Sequence, residues 1–171
     1  MELVEGRADI SALDEFFDRL AELEAEHGCA IQAFDADYVL GRDHLRAAVE
    51  RADRAFDRDE NVARERAVEL LLYAAGRRQI DRALRMGVDE GESDVVVVVH
   101  SPEGDASAEE TAAAAVAELL ESSPSDPLSP DRIDRDAVRD FFDVGDAELA
   151  ATDATLADLV RERVALLDVE K

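Results

Sequence analysis

Five consecutive valines, Val95 to Val99, constrain this chain more than any other feature. A β-branched run of that length favours sheet over helix, and with no polar residue inside it the strand must be buried. The other residues therefore have to supply a core around it. The chain can do so: it has 171 residues, of which 47% are hydrophobic, enough for one domain with a buried interior. A formal charge of -24, from 43 Asp and Glu against 19 Lys and Arg, does not by itself impose disorder on such a composition.

Helical spacing accounts for most of the remainder. Residues 2–8 read as a short strand leading to Ser11-x-x-Asp14, a capping-box-like start for a helix that ends near Gly28. Leu13, Phe16, Phe17, Leu20 and Leu23 lie on one face of it. Residues 29–34, CAIQAF, predict a strand, 42–56 a second helix and 62–75 a third, whose end VELLLYAAG is apolar almost all round. Gly76 breaks that helix. The segment 77–87 predicts a short helix with Arg78, Arg82 and Arg85 in one stripe and Ile80, Ala83, Leu84 and Gly87 opposite, so the apolar side can pack while the stripe faces outward. An alanine-rich helix is expected over 107–121, a Pro/Ser-rich loop over 122–130, a short helix around 137–142, and a last amphipathic helix opening at Thr155-x-x-Asp158. The fold class expected is α+β: a small, mostly antiparallel or mixed sheet packed with several α-helices, in a single domain over 1–171.

Several kinds of chemistry are excluded or unannounced. No window approaches 18 apolar residues, and MELVEGRADI lacks the marks of a signal peptide, so a cytoplasmic protein is expected. The single cysteine, Cys29, excludes an intramolecular disulfide framework or a cysteine-clustered metal site and reads as a small buried apolar residue. Of the 19 basic residues 18 are Arg and the one Lys is Lys171, so no Schiff-base or phosphate-binding lysine lies within the domain. His27, His44 and His100 lack metalloprotease spacing, and dinucleotide, Walker and nucleophile-elbow motifs are missing. His100 and Ser101, adjacent on a strand, point to opposite faces and cannot pair as base and nucleophile. Carboxylate pairs such as Glu109 and Glu110 read as a solvated face. No catalytic residue, metal or cofactor is expected.

Charge is distributed unevenly. Residues 42–85 hold 11 Arg and nine Asp and Glu, a balance of +2, while the rest of the chain carries -26. With 30 alanines and no Trp, the composition resembles that of salt-in halophilic proteomes. At about 1 M salt the Debye length is only about 3 Å, so net acidity does not exclude a polyanionic partner. The basic segment is either a helix surface laced by i,i+4 pairs or a surface kept basic for nucleic acid.

The stretch LLLYAAGRRQIDRALRMG, preceded by ADYVLGRDHLRAAVERA, resembles the small tRNA-binding subunit of the KEOPS complex, the family that includes the human PRPK-binding protein. The family pattern Ala-Ser-Gly-x-Arg-Gln-Ile is met by Ala74, Ala75, Gly76, Arg77, Arg78, Gln79 and Ile80, and an upstream Ala-Asp-x-Val with a His-initiated helix by Ala36, Asp37, Val39 and His44. The resemblance is clear over residues 35–90 and looser outside. Ala75 departs from the family's usual Ser, and the 122–130 loop is longer than the family layout suggests.

This resemblance implies a non-catalytic subunit of the machine that makes threonylcarbamoyladenosine in tRNA. Its partners would be the complex's kinase-like ATPase, the single-stranded CCA end of tRNA and, indirectly, the threonylcarbamoyl transferase. An unpaired RNA end is held by Arg on phosphates, by stacking and by amide contacts to base edges. Arg77 and Arg78 supply guanidinium groups and Gln79 an amide, while Gly76 admits close backbone approach. Tyr73 and Ile80 offer stacking or apolar cover, though either also suits a core, and Arg82 and Arg85 form a peripheral phosphate stripe. Free N–H groups at the start of the helix after Gly76 add an anion-binding element. His44 is expected to pack at a helix start, and the C-terminal helix is the expected partner-facing surface. The rival expectation is a protein-interaction scaffold that regulates the kinase-like partner without binding RNA.

Overall fold

The computed structural model describes residues 1–123 and 126–168. The valine run lies in the middle strand of a three-stranded antiparallel sheet of order β1-β3-β2, formed by β1 (Glu2–Ile10), β2 (Ala30–Asp35) and β3 (Gly91–His100). Val97 faces Val4 on one side and Ala33 on the other. Because side chains alternate along a strand, the run serves two cores. Val95, Val97 and Val99 pack with Leu20 and Leu23 of α1 (Leu13–His27) and with Ala112 and Val116 of α5 (Ala106–Ala117). Val96 and Val98 join the larger core on the opposite face, built from α2 (Arg42–Asp57), α3 (Arg66–Ala75), α6 (Arg135–Phe141) and α8 (Leu156–Leu166). All five valines are fully buried, and the result is an α+β domain with helices on both faces of one sheet. The short helices α4 (Ile80–Ala83) and α7 (Asp146–Ala150) complete the set. Among the described residues no helix is long and apolar enough to cross a membrane.

The departures from expectation are local and have physical causes. Strand β1 runs to Ile10, paired with Gly91, and α1 starts only at Leu13 with Ala12 as an N-cap that makes no side-chain cap bond. Strand pairing thus leaves Ser11 one residue too early for its capping box. The Thr155 box does form, each of Thr155 and Asp158 bonding the other's backbone N–H, at 2.8 and 3.2 Å. Helix α3 begins at Arg66, four residues late, because the buried Glu69 side chain turns back to accept the N–H groups of Val62 and Ala63 at 2.9 and 2.7 Å. Helix α5 stops at Ala117, and α7 was not foreseen. Glu109 is not on a solvated face: it is buried, pairs with the Met1 amino group at 2.5 Å and accepts the Ser101 N–H at 2.9 Å. His100 turns to Asp53 at 2.7 Å and Glu109 at 3.3 Å, while the Ser101 hydroxyl accepts the Asp105 N–H, so the two side chains do serve separate neighbourhoods. Cys29 is buried. Of the 122–130 loop, residues 124 and 125 lie outside the described residues, as do 169–171.

Candidate nucleic-acid interface

The two sequence motifs meet through one histidine. Fully buried His44 accepts the Leu40 N–H on Nδ1 at 3.2 Å, which leaves Nε2 as the protonated nitrogen, and Nε2 donates to the Ala74 carbonyl at 2.8 Å. Burial, outweighing that hydrogen bond, lowers its pKa from 6.5 to about 4, so the imidazole is neutral near pH 7. Helix α3 then ends in a Schellman motif: Gly76 adopts φ 58°, with its N–H on Tyr73 O and the Arg77 N–H on Leu72 O. A side chain on Gly76 would meet the Arg163 Cβ at 3.2 Å. The turn that carries the arginines is therefore fixed from α2 on one side and α8 on the other.

The arginines of the motif have different fates. Arg78 points inward toward the chain end and donates to the Leu167 carbonyl at 2.6 Å. Beside it Tyr73, 3% exposed, donates its hydroxyl to Asp168 at 2.7 Å, and Arg51 pairs with the same carboxylate at 2.6 Å. Burial first, then Asp168, pushes the Tyr73 phenol above its ordinary value. Its ring has no free face for a base, so Tyr73 belongs to the core. Arg77 goes the other way: it donates to the Phe141 carbonyl and pairs with Asp143 at 2.8 Å.

Arg82 and Arg85 are exposed, and neither has a carboxylate within ion-pair distance among the described residues. With Arg77, Asp140, Phe141 and Asp143 they line a cleft of about 330 Å³. The guanidinium of Arg85 stands 5.6 Å from the Phe141 ring centroid and that of Arg77 5.8 Å, within cation–π range. Phe141 rests in turn on Tyr38 and Phe142, at 5.1 and 4.8 Å between centroids. The upstream motif thus supports an aromatic bed beneath the arginines. Phe141 was missed in the sequence, where only the adjacent pair Phe141-Phe142 in a short helix could have pointed to it.

The apolar side of the 77–87 segment is not packed as the helical spacing predicts. Helix α4 has only four residues, too short for a dipole-based anion site, and continues as a single 3₁₀ turn over 84–86. Ala83 and Met86 go into the core, but Ile80 and Leu84 remain 45% and 55% exposed. They form one wall of an apolar groove of about 360 Å³ whose other walls come from α1, β2 and α3. Gln79 is exposed at the head of the same turn. One short segment therefore partitions two concavities, with arginines over an aromatic ring on one side and aliphatic side chains on the other.

Within 42–85 the lacing expected of a self-paired helix surface is absent. Arg46 pairs with Asp43 at i,i+3, Arg51 and Arg54 reach Asp168, Arg66 reaches Asp53 and Arg77 reaches Asp143. No i,i+4 pair occurs among the described residues. Nor is any group of three His, Cys, Asp or Glu side chains there placed to hold a metal ion.

The family model described as kinase binding protein CGI-121 matches residues 8–168, and the chain belongs to that family. No curated protein matches the chain.

Proposed function

We propose that this kinase-binding family member is the non-catalytic, cytoplasmic subunit of a KEOPS-type assembly that holds the single-stranded CCA end of tRNA while docked on a kinase-like ATPase. Threonylcarbamoyl transfer belongs to another subunit. The observation that carries the RNA reading is the partition made by residues 79–86: the exposed arginines Arg82 and Arg85 beside the Phe141 ring on one side, and exposed Ile80 and Leu84 at the mouth of an open groove on the other. An unpaired strand needs both, cations along its phosphates and apolar or aromatic surface for its splayed bases.

In this reading Arg82 and Arg85 meet phosphates, and Arg77, whose guanidinium stands 5.8 Å from the Phe141 ring centroid, offers a stacking plane. Gln79 is free to bond a base edge, and Gly76 gives the turn its shape. Arg78 acts by holding the turn against the chain end, and Tyr73 through the Asp168 hub that the two arginines of α2 share.

The test is binding of fluorescent tRNA to the full chain in near-molar potassium chloride, with and without the terminal CCA. Trimming should cost at least tenfold in Kd, and the double variant Arg82→Glu/Arg85→Glu should lose a similar factor with thermal unfolding changed little, since neither side chain has an ion-pair partner to lose among the described residues and Arg85 gives up only an exposed contact with the Phe141 ring. Equal binding of both tRNAs would overturn the CCA assignment. Full affinity in the double variant would move the site elsewhere. If a folded chain binds neither RNA, the scaffold reading takes its place.

A further inference from the structure

We propose that Asp143 is a specificity-determining residue of the arginine cleft: it matches the charge of Arg77, so that Arg77 serves as a stacking plane and phosphates alone do not suffice for capture. This rests on the RNA reading above and adds how the cleft rejects nucleic-acid backbone that brings no fitting end.

Three guanidinium groups and two carboxylates line the cleft. They are not equivalent. Arg82 and Arg85 have no carboxylate within ion-pair distance among the described residues, and Asp140 makes no ion pair there either. Asp143 and Arg77 are the one pair: Nη2 of Arg77 donates to the carboxylate at 2.8 Å and also to the Phe141 carbonyl. The Arg77 side chain is 21% exposed and that of Asp143 75%. A phosphate approaching this guanidinium therefore meets a carboxylate already in contact with it, and like charges so juxtaposed work against binding. A base meets no such opposition, because what a planar cation offers to a base is its face.

The backbone that places this carboxylate is unusual. Asp143 takes φ 54° directly after α6, with its N–H on the Asp140 carbonyl and the Val144 N–H on the Arg139 carbonyl. That is a Schellman end, where glycine is the usual residue. Asp59 ends α2 in the same way, at φ 55°, with its N–H on the Phe56 carbonyl and the Glu60 N–H on the Ala55 carbonyl. Its carboxylate makes no ion pair among the described residues. Ending a helix like this thus asks for no partnered acid, and the paired one stands where an arginine of the cleft is in reach. An exposed pair adds little to folding; its consequence is for the charge that Arg77 presents.

Contact is what matters at high ionic strength. At about 1 M salt the Debye length is about 3 Å, so carboxylates beyond ion-pair distance hardly repel a phosphate, whereas one in direct contact still does. The overall acidity of the chain cannot then keep RNA backbone out of a cleft with three arginines. A carboxylate bound to one of them can, and it leaves Arg82 and Arg85 for a strand whose bases engage as well.

The experiment measures Kd of the full chain and of Asp143→Asn for intact tRNA, tRNA trimmed of its CCA, and an abasic oligodeoxynucleotide, which offers phosphates without bases, in potassium chloride stepped down from near-molar. In the variant the trimmed and abasic ligands should bind about fivefold tighter, the worth of one exposed charge contact. Their slope of log Kd against log salt should steepen by about 0.7, for one further phosphate contact. Intact tRNA should gain about twofold or less, so the preference for the CCA end narrows. Asp143→Gly, relaxed at φ 54°, should do the same and decides the matter if the Asn variant does not fold. Asp59→Asn, which removes the same charge from the equivalent backbone position, should change none of the three. An equal gain for intact and trimmed tRNA, no gain for any ligand, or the same gain from Asp59→Asn would each overturn the role of Asp143 and leave the RNA reading standing. If the parent chain binds intact and trimmed tRNA alike, the RNA reading falls and the proposal with it.

Discussion

Replacing His44 by Leu should expose the one bond that joins the two sequence motifs, and it should do so through pH. The ring is 1% exposed and bonds the Leu40 N–H and the Ala74 carbonyl. Leaving both backbone groups unpaired in the core costs about 2–6 kcal/mol at pH 7, from about 1–3 kcal/mol per buried orphan. Lowering the pH acts on the parent alone. Its unfolded chain protonates this histidine near 6.5 and its native state only near 4, so between these values the unfolded state binds more protons and stability falls with pH. The full span of about 2.5 pH units amounts to about 3 kcal/mol. Guanidinium unfolding followed by circular dichroism, at fixed potassium chloride from pH 7 to pH 4.5, should show a gap between parent and variant that narrows steadily. Other groups titrate equally in both chains and cancel. Parallel stability curves over this range would refute the buried neutral imidazole, and with it the claim that His44 fixes the turn before Gly76.

Arg78→Gln should destabilise the chain by about 1.5–3 kcal/mol, the worth of a charge-assisted hydrogen bond, and weaken RNA binding only in proportion to the loosened turn; unchanged thermal unfolding with lost RNA affinity would make Arg78 a direct contact instead. Gly76→Ala, at φ 58° and 3.2 Å from the Arg163 Cβ, should cost about 1–2 kcal/mol, measured as a lower midpoint in the same unfolding assay. Because stacking and base contacts release no counterions, the slope of log Kd against log salt should be shallower than that of a binder using phosphate contacts alone; titrating RNA from 0.5 to 3 M potassium chloride checks this.

Where the sequence was legible, packing and local signal agreed. The valine run could only be a doubly covered strand, and Thr155 with Asp158 capped α8 because nothing competed for that turn. Ser11 carried the same local signal but lost to the pairing of Ile10 with Gly91. The late start of α3 was hidden because Glu69 looks like a solvent-facing residue in sequence, whereas its carboxylate is a buried cap for the preceding turn. Ile80 and Leu84 show the limit on the site. Helical spacing identifies them as one apolar face but says nothing of what covers it, and among the described residues nothing does. Gln32 and Glu24, far from the arginines in sequence, come to the groove only through the packing of α1 and β2.

Two groups stand out in the arginine segment, beside Arg46, paired with Asp43, and exposed Arg42, Arg58 and Arg64, which have no carboxylate within ion-pair distance among the described residues. Arg51, Arg54, Arg66 and Arg77 reach carboxylates distant in sequence, and Arg78 a carbonyl of the chain end. These tie α2 and α3 to α6 and α8 and explain why basic residues persist at partly buried positions, where Debye screening is weak. Arg82 and Arg85 make no such tie, although acidic side chains are abundant in this chain. An exposed cation without a carboxylate gains little for folding, even where, as for Arg85, it stands over an aromatic ring. Both arginines stand on the turn whose opposite side borders the apolar groove. Internal contacts thus account for the first group, while the second and the groove beside it fit the proposed ligand, which brings phosphates and unstacked bases to the same turn.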